Sequence, residues 1–327
     1  MKRSLFSLSL ILALILGVFV DRFFIPRQSE VPIIQRVIDR SLDKYSVENL
    51  SKANIKPAKL NFDIPNSSFT MEFAPDLGNQ TKKVSGRFGF PVDSKKEYPV
   101  VVMIRGFVPP EIYKSGVGTQ HAAEVFEKNG FITLAPDFLG YGDSDKETDN
   151  TFEARFQTYT TIISLLNSVD QIPNWDHKNV FIWAHSNGGQ IALTTLEITG
   201  KPYPTTLWAP VTAPFPYSIL YYSDEGDDFG KALRHGLTRF EEIYDADKYS
   251  INNYFDKISK DIQLQLHQGL SDDAVPIKWS DNLNKKLSDL EIKVNYYKYP
   301  GTDHNMVPSW NTVVERDLAF FKNNLKN

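Results

Sequence analysis

Short, strand-like apolar-rich runs alternate along this chain with longer stretches of helical period. That alternation restricts its folding options more than any other feature. The clearest run is Pro99-Val-Val-Val-Met-Ile104. An uninterrupted apolar run of this length is what a strand covered on both faces presents. Phe131–Ala135 reads as the next buried strand, and Asn179–Ala184, Thr205–Ala209, Ile262–Leu266 and Ile292–Tyr299 supply further strands. Between and after them, His121–Lys128, Phe152–Val169, Gly188–Leu196 and Val313–Leu325 carry helical spacing. Phe69–Phe73 and Val84–Phe90 alternate apolar and polar residues, as the two arms of a hairpin would. The expected class is α/β: a mostly parallel, twisted sheet with helices on both faces. In such sheets chemistry gathers at the carboxyl ends of the strands.

Composition narrows the possibilities from outside. The 327 residues are 41% hydrophobic and 23% charged, which excludes a disordered, collagen-like or coiled-coil chain. Net charge is −4, and no block of Lys and Arg occurs in the body of the chain. A protein that tracks nucleic-acid phosphates is thereby excluded as a class. The absence of cysteine removes disulfides, thiolate metal sites and acylated cysteine anchors. No motif calls for a metal or a cofactor.

The N-terminus reads as a membrane or export signal. Lys2 and Arg3 precede a largely apolar run from Ser4 to Val20, which Asp21 and Arg22 end. At about 1.5 Å per residue the run spans roughly 25 Å, slightly short of a bilayer core of about 30 Å. Phe23, Phe24 and Ile25 extend it at the interface. It is either an uncleaved anchor or a signal peptide. The anchor is favoured because bulky Val18-Phe19-Val20 replaces an Ala-x-Ala cleavage site. The positive-inside rule then puts everything after residue 25 outside the cytoplasm; cleavage would make the protein secreted. The domain reading is therefore an anchor or signal over 1–25, a connector over 26–67, and one catalytic domain over 68–327. The connector is punctuated by Pro26, Pro32 and Pro57, and Ile33–Leu50 could form one amphipathic helix.

Three strand ends carry reactive residues. Ala184-His-Ser186-Asn187-Gly188-Gly189 lies between a strand and a helix. It resembles the Gly-x-Ser-x-Gly nucleophile elbow, with Ala184 in place of the first glycine. Such a strained turn lifts the serine hydroxyl out of the sheet, and small neighbours let strand and helix approach. The backbone N–H of Asn187 then starts a helix, where it can face a developing oxyanion. After the Ile262–Leu266 strand comes His267-Gln-Gly269-Leu-Ser-Asp272-Asp273-Ala-Val275-Pro276. After the last strand comes Tyr299-Pro-Gly301-Thr-Asp303-His304. His185 sits inside the elbow with its side chain expected to point away. His121, His177, His235 and His267 read as surface or packing residues.

These runs, with Ala135-Pro136-Asp137-Phe-Leu-Gly140-Tyr-Gly142-Asp-Ser144, resemble the α/β hydrolase superfamily over roughly residues 68–325. Within it they are most similar to the catalytic domain of prolyl-oligopeptidase-type serine peptidases, including dipeptidyl and acylaminoacyl peptidases. The resemblance implies a Ser186–His304–Asp272 triad, in the family's chain order of nucleophile, acid and base. Spacing from Gly269 picks Asp272 over Asp273 as the acid. It also implies a second oxyanion donor after the Pro99–Ile104 strand. There Arg105-Gly106-Phe107 departs from the usual His-Gly, and the Phe107 backbone N–H is the expected donor. The Tyr113 hydroxyl is a looser candidate. A stretch of about 50 residues, 211–258, occupies the place of a lid; its Phe215, Tyr217, Tyr221 and Tyr222 could line an acyl or aryl pocket.

The expected activity is hydrolysis of an ester or amide through an acyl-enzyme. Peptidases of this type usually carry a gating propeller ahead of the catalytic domain, and no repeat is visible here. An esterase or acyl hydrolase is accordingly favoured over a peptidase. A catalytically silent hydrolase fold used as a surface binding protein is the reading from another class, and the complete triad argues against it.

Overall fold

The computed structural model describes residues 39–91, 96–223 and 228–326. The apolar run at 4–20 and most of the acidic run at 224–228 lie outside the described residues. No helix among the described residues is long and apolar enough to cross a membrane. Residues from Arg40 onward form one compact unit.

A nine-stranded sheet organises that unit, in the order β1-β2-β3-β5-β4-β6-β7-β8-β9. The strands are β1 Lys59–Asp63, β2 Ser68–Phe73, β3 Lys82–Gly89, β4 Tyr98–Ile104, β5 Ile132–Pro136, β6 Trp175–His185, β7 Thr205–Trp208, β8 Leu264–Gly269 and β9 Val294–Tyr299. β1, β2 and β3 pair antiparallel, and β3 joins β5 antiparallel. From β5 through β4 to β9 every pairing is parallel. The expected hairpin is β2–β3, where Met71 faces Val84. β1 was not legible as a strand; it lies in the stretch read as connector.

Burial along β4 shows why its sequence has no polar alternation. Val100, Val102 and Ile104 enter one apolar cluster, and Val101 and Met103 enter the other, on the opposite face. Both faces are covered by helices. α1 Val47–Lys52, α2 Gln120–Lys128, α3 Thr151–Leu166, α4 Asn187–Thr199, α5 Tyr217–Leu220, α6 Lys231–Glu241, α7 Ile277–Asp289 and α8 Trp310–Asn323 follow in chain order.

Two expectations change. The helix proposed over Ile33–Leu50 is, in its described part, a 3-10 turn at Asp43–Tyr45 followed by α1. Ser46 separates the two: its extended backbone (ψ 148°) breaks the helix, and its hydroxyl caps α1 by accepting the Asn49 N–H. The aromatic residues of 211–258 do not act as one group. Phe215 is buried with Phe152, Phe156, Phe240 and Tyr249 in the core. Tyr217, Tyr221 and Tyr222 instead gather on Trp279.

β5 and β6 flank β4 on opposite sides, so the chain reverses direction across the sheet there. Loops leaving the carboxyl ends of β4 and β6 part at such a point, and a crevice opens between them.

Candidate active site

Ser186 stands at the end of β6 with φ 54° and ψ −121°, a left-handed conformation that costs a non-glycine residue roughly 1–3 kcal/mol. The surroundings hold it there. Its N–H donates to Trp208 O at 2.9 Å, and its carbonyl accepts from Gly189 N at 2.9 Å and Val211 N at 3.0 Å. The two following glycines are required sterically. A Cβ on Gly188 would lie 2.1 Å from Ile104 O, and one on Gly189 would lie 2.4 Å from Pro210 Cβ. Ala184 is fully buried between β4 and β7, where it pairs with Ile104 and Leu207. Asn187 is the first residue of α4, so its N–H has no partner within the helix.

Asp272 and His304 come together across two adjacent strand ends. His304 Nδ1 lies 2.9 Å from Asp272 Oδ2. The same oxygen accepts from Gln268 Nε2 at 2.9 Å, and Oδ1 accepts from the amides of Ala274 at 2.9 Å and Val275 at 2.8 Å. Burial alone would push this carboxyl up; the His304 hydrogen bond and the two amides outweigh it and hold the group below its ordinary value. Asp273, the neighbour the spacing set aside, is exposed. Gly269 makes the approach possible, since a Cβ there would meet Thr302 O at 2.3 Å and Asp303 O at 2.6 Å. Ser271 N then reaches Thr302 O at 2.9 Å, tying the two loops together.

The loop after β4 covers the serine. A Cβ on Gly106 would fall 2.9 Å from Ser186 Cβ and 3.5 Å from its Oγ. Arg105 is buried, its guanidinium packed against Tyr141 at 4.0 Å and Tyr113 at 4.5 Å from the ring centres. It donates to Gly106 O at 2.9 Å and to Asp137 O at 2.9 Å. Because the peptide is planar and trans, the Phe107 N–H points opposite to that Gly106 carbonyl. Tyr113 is engaged elsewhere: its hydroxyl donates to Asp137 Oδ1 at 2.6 Å. Burial and the Asp137 carboxylate push that phenol well above its ordinary value.

His185 does not point away from His304. Its ring centre is 4.7 Å from that of His304, and Nε2 lies 3.0 Å from His304 O. Burial, helped by His304, lowers the His185 imidazole to about 4, so near neutral pH it is uncharged and donates Nε2–H to that carbonyl. Among the described residues Ser186 and His304 share no hydrogen bond; catalytic hydrogen bonds are often long without substrate. His267 is fully buried between Tyr299 OH at 2.7 Å and Asp317 at 3.0 Å, a packing and network residue. His121 stacks on Trp310, and His177 and His235 are exposed. Gln268 and His185 are the positioning groups that the sequence reading left without a role. Gln268 stood inside the Gly269 motif, and its own orientation comes from Ser280, which donates to its Oε1 at 2.7 Å.

Beside Ser186 lies a cavity of about 650 Å³, lined by Gly106, Phe107, Asn187, Arg105 and Arg155 among others. Arg155 donates to Gln190 Oε1 at 2.9 Å and to Asn187 Oδ1 at 3.4 Å. The Nε atoms of Arg105 and Arg155 are buried without a partner.

Residues 118–327 match the sequence model of the prolyl oligopeptidase family. The chain belongs to this family. It is a serine hydrolase, as that membership implies. An uncharacterized peptidase, YtmA of Bacillus subtilis (strain 168), is 25% identical over 201 residues, covering 61% of this chain and 74% of its own. Among solved structures, acetyl xylan esterase 1 from Thermoanaerobacterium sp. JW/SL YS485 superposes with TM-score 0.61 at 14% identity, covering 86% of this chain and 94% of its own. Est1E from Butyrivibrio proteoclasticus gives 0.52 at 17%, covering 74% and 94%. Porphyromonas gingivalis dipeptidyl peptidase 4 gives 0.53 at 16%, covering 74% of this chain and 34% of that one. These likenesses establish the α/β hydrolase fold expected from the sequence; at such identities they carry no further meaning.

Proposed function

We propose that this protein is an acyl hydrolase that cleaves an ester through a Ser186 acyl-enzyme, with His304 as base and Asp272 as the acid behind it. The observation that carries the reading is the His304–Asp272 hydrogen bond of 2.9 Å, set beside an elbow serine held at φ 54°. Asp272 holds the proton on Nδ1, which leaves Nε2 free to take the Ser186 proton. Ser186 Oγ attacks the acyl carbon. The backbone N–H groups of Phe107 and Asn187 receive the oxyanion. His304 then returns its proton to the leaving alcohol, and water repeats the sequence to free the acid.

Charge supports ester over aminopeptidase chemistry. Of the charged residues lining the cavity beside the serine, Arg105 is buried and Arg155 half-buried, while Lys146, Glu147 and Asp149 are exposed. A protonated substrate amine would meet repulsion there. A second reading, a peptidase of the prolyl-oligopeptidase type, is favoured by the family match and by the peptidase name of the Bacillus relative. Short-chain aryl esters and acylaminoacyl or aminoacyl anilides assayed side by side, with Ser186→Ala as control, separate the two. The ester reading expects ester turnover that the variant loses. Comparable cleavage of the anilides would establish the peptidase reading instead.

A further inference from the structure

The cavity beside Ser186 holds more positive charge than the hydrolase chemistry requires. Arg105 is 5% exposed; it donates to the backbone carbonyls of Gly106 and Asp137 and packs against the Tyr113 and Tyr141 rings, with no carboxylate among these partners. Arg155, on α3, reaches only the neutral side-chain oxygens of Asn187 and Gln190. Neither forms an ion pair among the described residues, and the Nε of each is buried without an acceptor. The Asp137 carboxylate accepts from Ser85, Tyr113 and Ser115, and does not pair with Arg105. Lys146, Glu147 and Asp149 also line the cavity, but they sit exposed at its rim, where water screens them. A buried cation without an anionic partner is costly unless something supplies the missing charge. The amino end of α4, at Asn187, adds its partial positive charge to the same wall.

The position of the cavity says which part of a substrate would meet this charge. It is lined by the expected oxyanion donors, Phe107 and Asn187, and by no residue of the 299–307 loop that carries His304. His304 protonates the leaving group, so the leaving group lies on the side of that loop. The acyl part therefore extends toward the two arginines. We propose that this cavity is an acyl-side subsite for a carboxylate, with Arg155 as its main ligand and Arg105 behind it. The preferred substrates are then esters of acids that carry a second carboxylate. This rests on the acyl-hydrolase reading above and deepens it.

The test compares a mono-aryl adipate with the aryl hexanoate, which has the same six-carbon chain and no charge. With the full chain, kcat/KM should favour the adipate by roughly tenfold or more, as expected for a charged hydrogen bond. Arg155→Gln should erase that ratio, chiefly through the KM of the adipate, and Arg155→Lys should restore part of it. Raised ionic strength should lower the ratio as well. Calorimetric binding of adipate to Ser186→Ala, lost in Ser186→Ala/Arg155→Gln, reads the subsite without turnover. Hydrolysis of both esters without preference, or a ratio that Arg155→Gln leaves intact, would overturn the subsite and spare the hydrolase. Turnover of neither ester, with Arg155-dependent adipate binding retained, would overturn the hydrolase and spare the subsite.

Discussion

Asp272 accepts four hydrogen bonds, from His304, Gln268, Ala274 and Val275, so its carboxylate has one orientation and one task. Replacing it with Asn should keep the shape and spoil the His304 tautomer, lowering kcat by roughly 10³–10⁴-fold. Ser186→Ala and His304→Ala should each cost several orders of magnitude, measured as kcat/KM on one ester. A tenth of wild-type activity in either would contradict the assignment. His185 yields a prediction in pH. Its imidazole falls from an ordinary 6.5 to about 4 on burial, so the unfolded chain binds the extra proton between those values. Stability is therefore full above about pH 6.5 and falls as pH drops toward 4, by on the order of 3 kcal/mol from this group. The depressed Asp272 carboxyl adds a loss of the same sign at lower pH. Urea midpoints across that range should show the slope, and His185→Gln should flatten it. The candidate triad could be proposed from the sequence because each member lies inside a local motif at a strand end. The contacts of His185, Tyr113 and Arg155 were not legible, because their partners lie 119, 24 and 32 or more residues away.

Strand and helix positions were largely readable from period, and the exceptions have physical causes. β1 shows only Leu60 and Phe62 as apolar residues, too few to mark a strand without its partner β2. α7 was not legible as a helix: Trp279, Leu283 and Leu287 lie at helical spacing and are buried, but its other positions are mostly polar. At this scale the glycines are the sensitive points. Gly269→Ala should drive the Asp272 and His304 loops apart, because the added methyl would meet two carbonyl oxygens within 2.6 Å. The expected cost is roughly 1–3 kcal/mol of stability and about 100-fold in turnover, since small misplacements of reacting groups are expensive. Melting temperature and kcat measured together check this. An unchanged kcat would mean that the loops do not need their close approach.

The unit from Arg40 onward combines a mostly parallel sheet, covered on both faces, with a crevice at the point where strand order reverses, and the candidate triad and the cavity lined by Arg105 and Arg155 share that end of the sheet. The reading of the N-terminus as an anchor remains a proposal of its own. It expects the full chain in the membrane fraction and a chain starting at Gln28 in the soluble fraction with its activity intact; recovery of the latter only as aggregate would count against it. The central claim is that Ser186 is the activated nucleophile, and fluorophosphonate labelling followed by peptide mass mapping tests it most directly. The account expects a single labelled serine, Ser186, with labelling abolished in Ser186→Ala and strongly slowed in His304→Ala. Labelling at another serine, or undiminished labelling of Ser186→Ala, would contradict it.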